Sequence, residues 1–276
     1  MTYQNTLLEA RKKRGTLICA HQGTAGGNVP GNTRAAFEAA LQQGADMLET
    51  DVTVSKDGVI FIFHPGNEKV FLNRDIHLEQ MTAEEIRKER YVNSCRAITD
   101  CPLMTLDEFL ETFKNRCFIN LDHGWDCLAP MTEAVRRHKM EDQILIKAPA
   151  DIKYARIMEE VAPEMMYMPI IQEKDEITEQ LEKMNLNFVG SELVFATENA
   201  PIAQDDYMEA QHKKGRILWG NGILYSYQVP LSAGHSDDIS LVGAPECGWG
   251  WLLDKGFDIV QTDWVLPLKN FMENRK

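Results

Sequence analysis

HQGTAGGNVPGNTRAAFEAALQQGADMLETDVTVSKDGVIFIFHP, residues 21–65, carries the alternation on which the fold turns. His21 closes a short apolar run at 17–21. A Gly/Asn/Pro-rich loop follows and enters a helix-like segment at 33–44, where Ala36, Phe37, Ala40 and Leu41 share one stripe. That segment starts at a cap formed by Asn32 and Thr33 and stops at Gly44. A second apolar run, 47–52, comes next. Strand, helix, strand in this order predicts two parallel strands joined by a crossover helix. The turn Ser55-Lys56-Asp57-Gly58 has no room for another helix. The run at 59–64 is therefore expected to return antiparallel, bringing residues near 51 and near 64 opposite one another.

The same alternation continues outward. Apolar runs at 117–122, 144–147, 166–171, 188–191, 217–220 and 257–261 are short and near-continuous, as strands buried on both faces require. Amphipathic segments at 105–115, 131–138, 151–161, 175–184 and 201–214 lie between most of them. Nine strand candidates less the return strand leave eight. The expectation is an α/β chain folded as one (β/α)₈ TIM barrel over residues 1–276. Two stretches exceed a minimal barrel: 65–104, expected as an insertion after the third strand run, and the Gly/Pro/Ser/Asp-rich stretch 222–250.

With 42 acidic and 29 basic side chains the 276-residue chain has a formal charge of -13. Such a surface repels nucleic-acid phosphates and anionic headgroups, which argues against both as main partners. A small phosphate substrate is compatible with it, because one divalent cation reverses the field locally. The six cysteines form no CxxC pair and have no zinc spacing, so reduced thiols are expected. No signal-peptide-like or membrane-spanning apolar stretch is present, so a cytoplasmic protein without an integral membrane segment is expected.

Residues at the carboxyl ends of barrel strands share one face. There the sequence offers His21, Glu49, Asp51, His64 and Asp122. Glu49 and Asp51 are two apart and point to the same side of their strand. Two such carboxylates repel unless a cation neutralises them or a Lys or Arg pairs with each. Asp122 would add a third oxygen ligand for a hard cation such as Mg²⁺ or Ca²⁺. His21 and His64 suit general acid and base roles, because an imidazole titrates near working pH. His123 is expected to face away if its strand continues past Asp122.

Residues 21–65 resemble the opening signature of the glycerophosphodiester phosphodiesterase family: His-Arg-Gly, Glu-Asn-Thr, a helix, a Glu-x-Asp strand, a Lys-Asp-Gly-like turn and a His-Asp strand end. LMTLDEFL, INLDHG and GFDIVQTDWVLPL resemble its later segments. The resemblance implies a barrel with one divalent cation, Mg²⁺ or Ca²⁺, held by Glu49, Asp51 and Asp122. It also implies His21 and His64 as the acid/base pair, and cleavage of a small glycerol phosphodiester to a phosphomonoester and an alcohol. Several positions depart from the pattern. Gln22 replaces the Arg, Gly31 the Glu before Asn-Thr, Pro65 the Asp after the second His, and Gly124 the Lys two residues beyond the third ligand. Lys147 is a candidate to restore a phosphate-binding charge, with a snorkelling barrel-end lysine as the alternative. Gln22, Glu192 and Trp219 are further candidates for the substrate pocket, the last two with packing as the alternative. Three functional readings stay open: a divergent hydrolase, a cyclising phosphodiester lyase, and a non-catalytic metal- or phosphate-binding relative. The oligomeric state is not legible from the sequence.

Overall fold

The computed structural model describes residues 6–225 and 228–275. In chain order its strands are β1 (Leu17–Ala20), β2 (Met47–Val54), β3 (Ile60–Ile62), β4 (Arg90–Val92), β5 (Ile98–Pro102), β6 (Phe118–Asp122), β7 (Ile144–Pro149), β8 (Met166–Gln172), β9 (Gly190–Val194), β10 (Ile217–Asn221) and β11 (Ile259–Thr262). Among the described residues eight of these, β1-β2-β6-β7-β8-β9-β10-β11, run parallel, and β1 pairs with both β2 and β11 to close the barrel. β3 returns antiparallel on β2, pairing Val52 with Ile62 and Val54 with Ile60. The Phe63 N–H donates to the Asp51 carbonyl at 3.0 Å, so the tight turn works as the sequence indicates.

Helices form where caps and stripes predict them. Thr33 Oγ1 accepts from the Ala36 N–H and starts the helix Arg34–Gln43, which ends at Gly44 with φ 99°. Thr105 and Glu108 form a capping box that starts Leu106–Phe113, and that helix buries Leu106, Phe109, Leu110 and Phe113. The stretch 65–104 folds into short helical turns and the antiparallel hairpin β4–β5. It packs Leu72, Leu78, Ile86 and Tyr91 against Phe61 and Phe63 of the return strand. No helix among the described residues is long and apolar enough to cross a membrane.

Alternation along each strand sorts the barrel interior by height. Toward the amino ends the inward positions are apolar: Leu17, Met47, Leu145, Met166 and Ile217, with Leu7 of the first helix, Thr6–Arg14, packed into the same cluster. Two to four residues further along, the inward positions become Glu49, Asp51, Asn120, Lys147, Glu192, Asn221 and Gln261, all buried. The polar layer sits at the carboxyl ends, where barrel chemistry is done.

The floor of the barrel depends on Gly190, which pairs with Ile217 across β9 and β10. A Cβ there would overlap the Ile217 carbonyl, a backbone atom that cannot swing aside. Gly190→Ala is expected to cost about 1–3 kcal/mol through backbone displacement. Urea unfolding should show this as a lower midpoint at unchanged slope.

Candidate active site

A cavity of about 220 Å³ opens at the carboxyl ends of the strands and is lined by His21, Glu49, Asp51, His64, Asp122, His123 and Lys147 among others. A roomier groove of about 830 Å³ lies on the flank between the helices Arg34–Gln43 and Leu106–Phe113. Its charged groups include Arg87 and Glu108, an exposed ion pair at 3.0 Å, whereas the smaller cavity collects the strand-end carboxylates and histidines and is the candidate site.

Loop 21–33 folds over the two carboxylates of β2. The Gln22 backbone N–H donates to Glu49 Oε2 at 3.0 Å, and its side-chain Nε2 donates to Asp51 Oδ2 at 2.7 Å. Asn32 Nδ2 donates to the same Asp51 oxygen at 3.0 Å and is itself fixed by Thr50 Oγ1 at 2.7 Å. Gln22 and Asn32 both adopt left-handed backbone, φ 53° and 56°, which turns their amides inward. These neutral donors leave the charge in place. Burial and the nearby Asp51 charge hold the Glu49 carboxyl well above the usual carboxylate range.

On the other side Lys147 is fully buried between Asp122 and Glu192, with Nζ at 3.0 Å and 2.7 Å from their oxygens. It does not snorkel. Its ammonium lies 4.2 Å from the centre of the Trp219 ring, and the Trp219 indole donates to Gln261 Oε1 at 3.1 Å. Asn221 Nδ2 takes the second Glu192 oxygen at 2.8 Å. Burial opposes the charge on Lys147, but Asp122, Glu192 and Glu49 outweigh it and raise its pKa. Burial likewise opposes the Asp122 charge, yet Lys147 and His123 hold that carboxyl below its ordinary value. Trp219 is fully buried beneath Lys147 and does not line the cavity.

His21 Nδ1 lies 2.8 Å from Asp263 Oδ1. Burial alone would lower this imidazole. The Asp263 hydrogen bond and the charges of Glu49, Asp263 and Asp51 win, lifting it to about 9. Asp263 is steadied in turn by Asp237, whose Oδ2 accepts the Asp263 N–H at 2.9 Å. His64 Nδ1 lies 2.9 Å from the Pro65 carbonyl, which can only accept; in the tautomer that makes this bond, Nδ1 carries the proton and Nε2 keeps its lone pair. The Asn67 amide nitrogen lies 2.7 Å from the same Nδ1 and would donate to it in the other tautomer.

His123 faces the cavity, against the sequence expectation. β6 ends at Asp122, and His123 takes left-handed backbone with φ 53°, which re-aims its ring. Its Nε2 is 3.9 Å from Asp51 Oδ1, and its ring centre is 4.3 Å from that of His64. Burial, opposed by Asp122 and Asp51, lowers its pKa.

Glu49, Asp51, Asp122 and Glu192 thus all line the cavity, but Lys147 pairs only with Asp122 and Glu192. That excess of buried oxygen donors suits a hard divalent cation. Among the described residues the group whose ligand atoms lie within 4.8 Å of one another is Asp51, His64 and His123, not the expected set of Glu49, Asp51 and Asp122. Set beside known proteins, residues 21–220 match the model of the glycerophosphoryl diester phosphodiesterase family. The chain belongs to that family. A glycerophosphodiester phosphodiesterase from Caldanaerobacter subterraneus subsp. tengcongensis is 41% identical over 141 residues, covering 48% of this chain and 58% of the relative. The chain spans a little over half the length of the curated relatives it matches most strongly. Among solved structures, a glycerophosphoryl diester phosphodiesterase from Parabacteroides distasonis superposes with a TM-score of 0.78 at 18% identity, covering 100% of this chain and 94% of the other. An Oleispira antarctica phosphodiesterase, solved with the product sn-glycerol-3-phosphate, gives 0.70 at 17% identity, covering 94% and 97%. Both likenesses carry the fold, which is the expected eight-stranded barrel.

Within the phosphodiesterase family pattern, two departures of this chain are physically linked. A Cβ on Gly31 would sit 3.1 Å from Gln22 Cβ and Oε1, so a Glu at 31 would press the Gln22 side chain to move by a few tenths of an ångström. Losing Arg and Glu together leaves the local charge unchanged. At Gly124 a Cβ would meet the Met131 thioether, so a Lys there requires the flexible end of Met131 to move. Extending the β6–β7 register, which pairs Leu121 with Ile146, puts Lys147 level with Asp122. The ammonium is supplied by the neighbouring strand.

Proposed function

We propose that the chain hydrolyses a small glycerophosphodiester to a phosphomonoester and an alcohol, with one divalent cation, Mg²⁺ or Ca²⁺, at Glu49, Asp51 and Asp122. The observation that carries this reading is the meeting of the Glu49/Asp51 pair with His21 and His64 in one cavity at the catalytic mouth of the barrel. Family membership and the product named for the Oleispira antarctica phosphodiesterase support it.

A cation bound there supplies charge neutralisation and polarisation of a phosphoryl oxygen. His21, held protonated by Asp263, donates its proton to the leaving oxygen. His64, with Nδ1 fixed on the Pro65 carbonyl, takes the proton of the attacking hydroxyl at Nε2. Lys147, paired with Asp122 and Glu192 and backed by Trp219, lines the cavity, where its ammonium can donate to a phosphate oxygen. Gln22 acts by holding Asp51 in place.

The test is turnover of a panel of glycerophosphodiesters by chelator-stripped protein reloaded with Mg²⁺ or Ca²⁺, followed by phosphorus NMR. A phosphomonoester that appears only with cation is expected. A persistent cyclic phosphate would make the chain a lyase, and no turnover with any substrate or cation would make it a binding protein.

A further inference from the structure

We propose that Asp51, His64 and His123 form a second seat, selective for a borderline first-row transition cation of the Zn²⁺ class. One ligand atom from each of the three lies within 4.8 Å of the others. Zinc–nitrogen bonds of about 2.0–2.1 Å place tetrahedral ligand atoms about 3.3–3.4 Å apart, so the three close by rotamer adjustment of about 1 Å.

The partners around this trio are those of a ligand set. Asp51 presents Oδ1 toward His123, while its other oxygen, Oδ2, is held by Gln22 and Asn32. His64 Nδ1 is 2.9 Å from the Pro65 carbonyl, and with the proton donated there Nε2 is the nitrogen open to a cation. Outer hydrogen bonds of this kind orient metal-binding carboxylates and imidazoles and fix their tautomer. His123 is brought in by its left-handed backbone and wedged between His64 and Trp125, whose ring centres are 4.3 and 4.5 Å away.

Donor chemistry separates the two seats. Glu49, Asp51 and Asp122 offer oxygen alone, which suits Mg²⁺ or Ca²⁺. Two imidazoles and one carboxylate favour Zn²⁺, Co²⁺ or their neighbours by nitrogen affinity. Both seats use Asp51, so occupants compete for it. A cation in the nitrogen seat also takes the His64 lone pair, which on the proposed reaction is the proton acceptor. Resting on that reading, Zn²⁺ is expected to inhibit hydrolysis supported by Mg²⁺.

Co²⁺ titration of the chelator-stripped full chain, read by visible absorption, tests the seat without reference to turnover. One equivalent should give the intense bands of a low-coordinate Co²⁺ site, persisting in millimolar Mg²⁺ and displaced by Zn²⁺. His123→Ala, shown to be folded by its urea midpoint, should weaken binding beyond the roughly 10–100-fold typical of losing an outer-shell partner. His235→Ala, at a histidine outside the cavity, should leave the bands unchanged. Wild-type spectra no different from aqueous Co²⁺, bands removed by Mg²⁺, or full bands in His123→Ala would overturn the proposal. Bands without phosphodiester turnover would leave the seat standing and sink the hydrolase reading instead.

Discussion

His21→Ala should lower glycerophosphodiester turnover by about 10²–10⁴-fold, the usual contribution of a positioned proton donor, and His64→Ala should do the same. On the proposed reaction one serves the leaving oxygen and the other the attacking hydroxyl, so each loss should appear in kcat. The pH profile separates the roles. His21 is lifted to about 9, against the effect of burial, by Asp263 and by the Glu49 and Asp51 charges. As an acid it works protonated, so activity is retained below that pKa and falls as pH rises through it. A bound cation cancels part of the Glu49 and Asp51 contribution and leaves Asp263 as the main support, setting the basic limb at or below pH 9. Asp263→Asn keeps the shape of the contact and removes the charge. The basic limb of kcat/KM should then move down toward the ordinary imidazole range. A limb that stays put in Asp263→Asn would show that His21 is not the titrating acid.

The sequence carries the barrel and the Glu49/Asp51 pair because both rest on local rules. Short apolar runs, the capped helix at Thr33 and the Ser55-to-Gly58 turn each act over a few residues, and i,i+2 spacing alone puts two strand carboxylates on one side. What escaped depends on backbone beyond a strand end or on closure of the barrel. Alternation extended one residue too far sends His123 outward. The left-handed turn at His123 reverses that, and the following Gly124 is the only local hint of a turn. Asp263 lies 242 residues from His21 and becomes its neighbour through the register that pairs Ala20 with Thr262. Gln22 reads as a lost phosphate contact, yet its amide serves the carboxylates. Lys147 reads equally as a snorkelling end residue until Asp122, Glu192 and Trp219, from three other strands, close around it.

Lys147→Met is expected to destabilise the chain by about 3–5 kcal/mol, because it strips a buried ammonium from two acids that remain. The deficit should depend on pH with a definite sign. In the native protein Lys147 helps hold Asp122 below its ordinary pKa against burial, so this stabilisation is present at neutral pH and is lost as pH falls through the depressed value. Without the ammonium only His123 is left to oppose burial, and Asp122 becomes easier to protonate. The gap between variant and wild type should therefore be widest near neutral pH and narrow toward pH 4 in urea unfolding. Divalent cation supplies a second readout. If Asp122 is the third metal ligand, Lys147 competes with the cation for it, and the variant should bind Mg²⁺ or Ca²⁺ more tightly than wild type. Wild type is stabilised by the same cation, so the deficit should shrink in saturating metal by the difference in affinity alone, about 1.4 kcal/mol for each tenfold tighter binding by the variant. If the deficit is unmoved by cation, Asp122 belongs to Lys147 alone, and the oxygen seat reduces to Glu49 and Asp51.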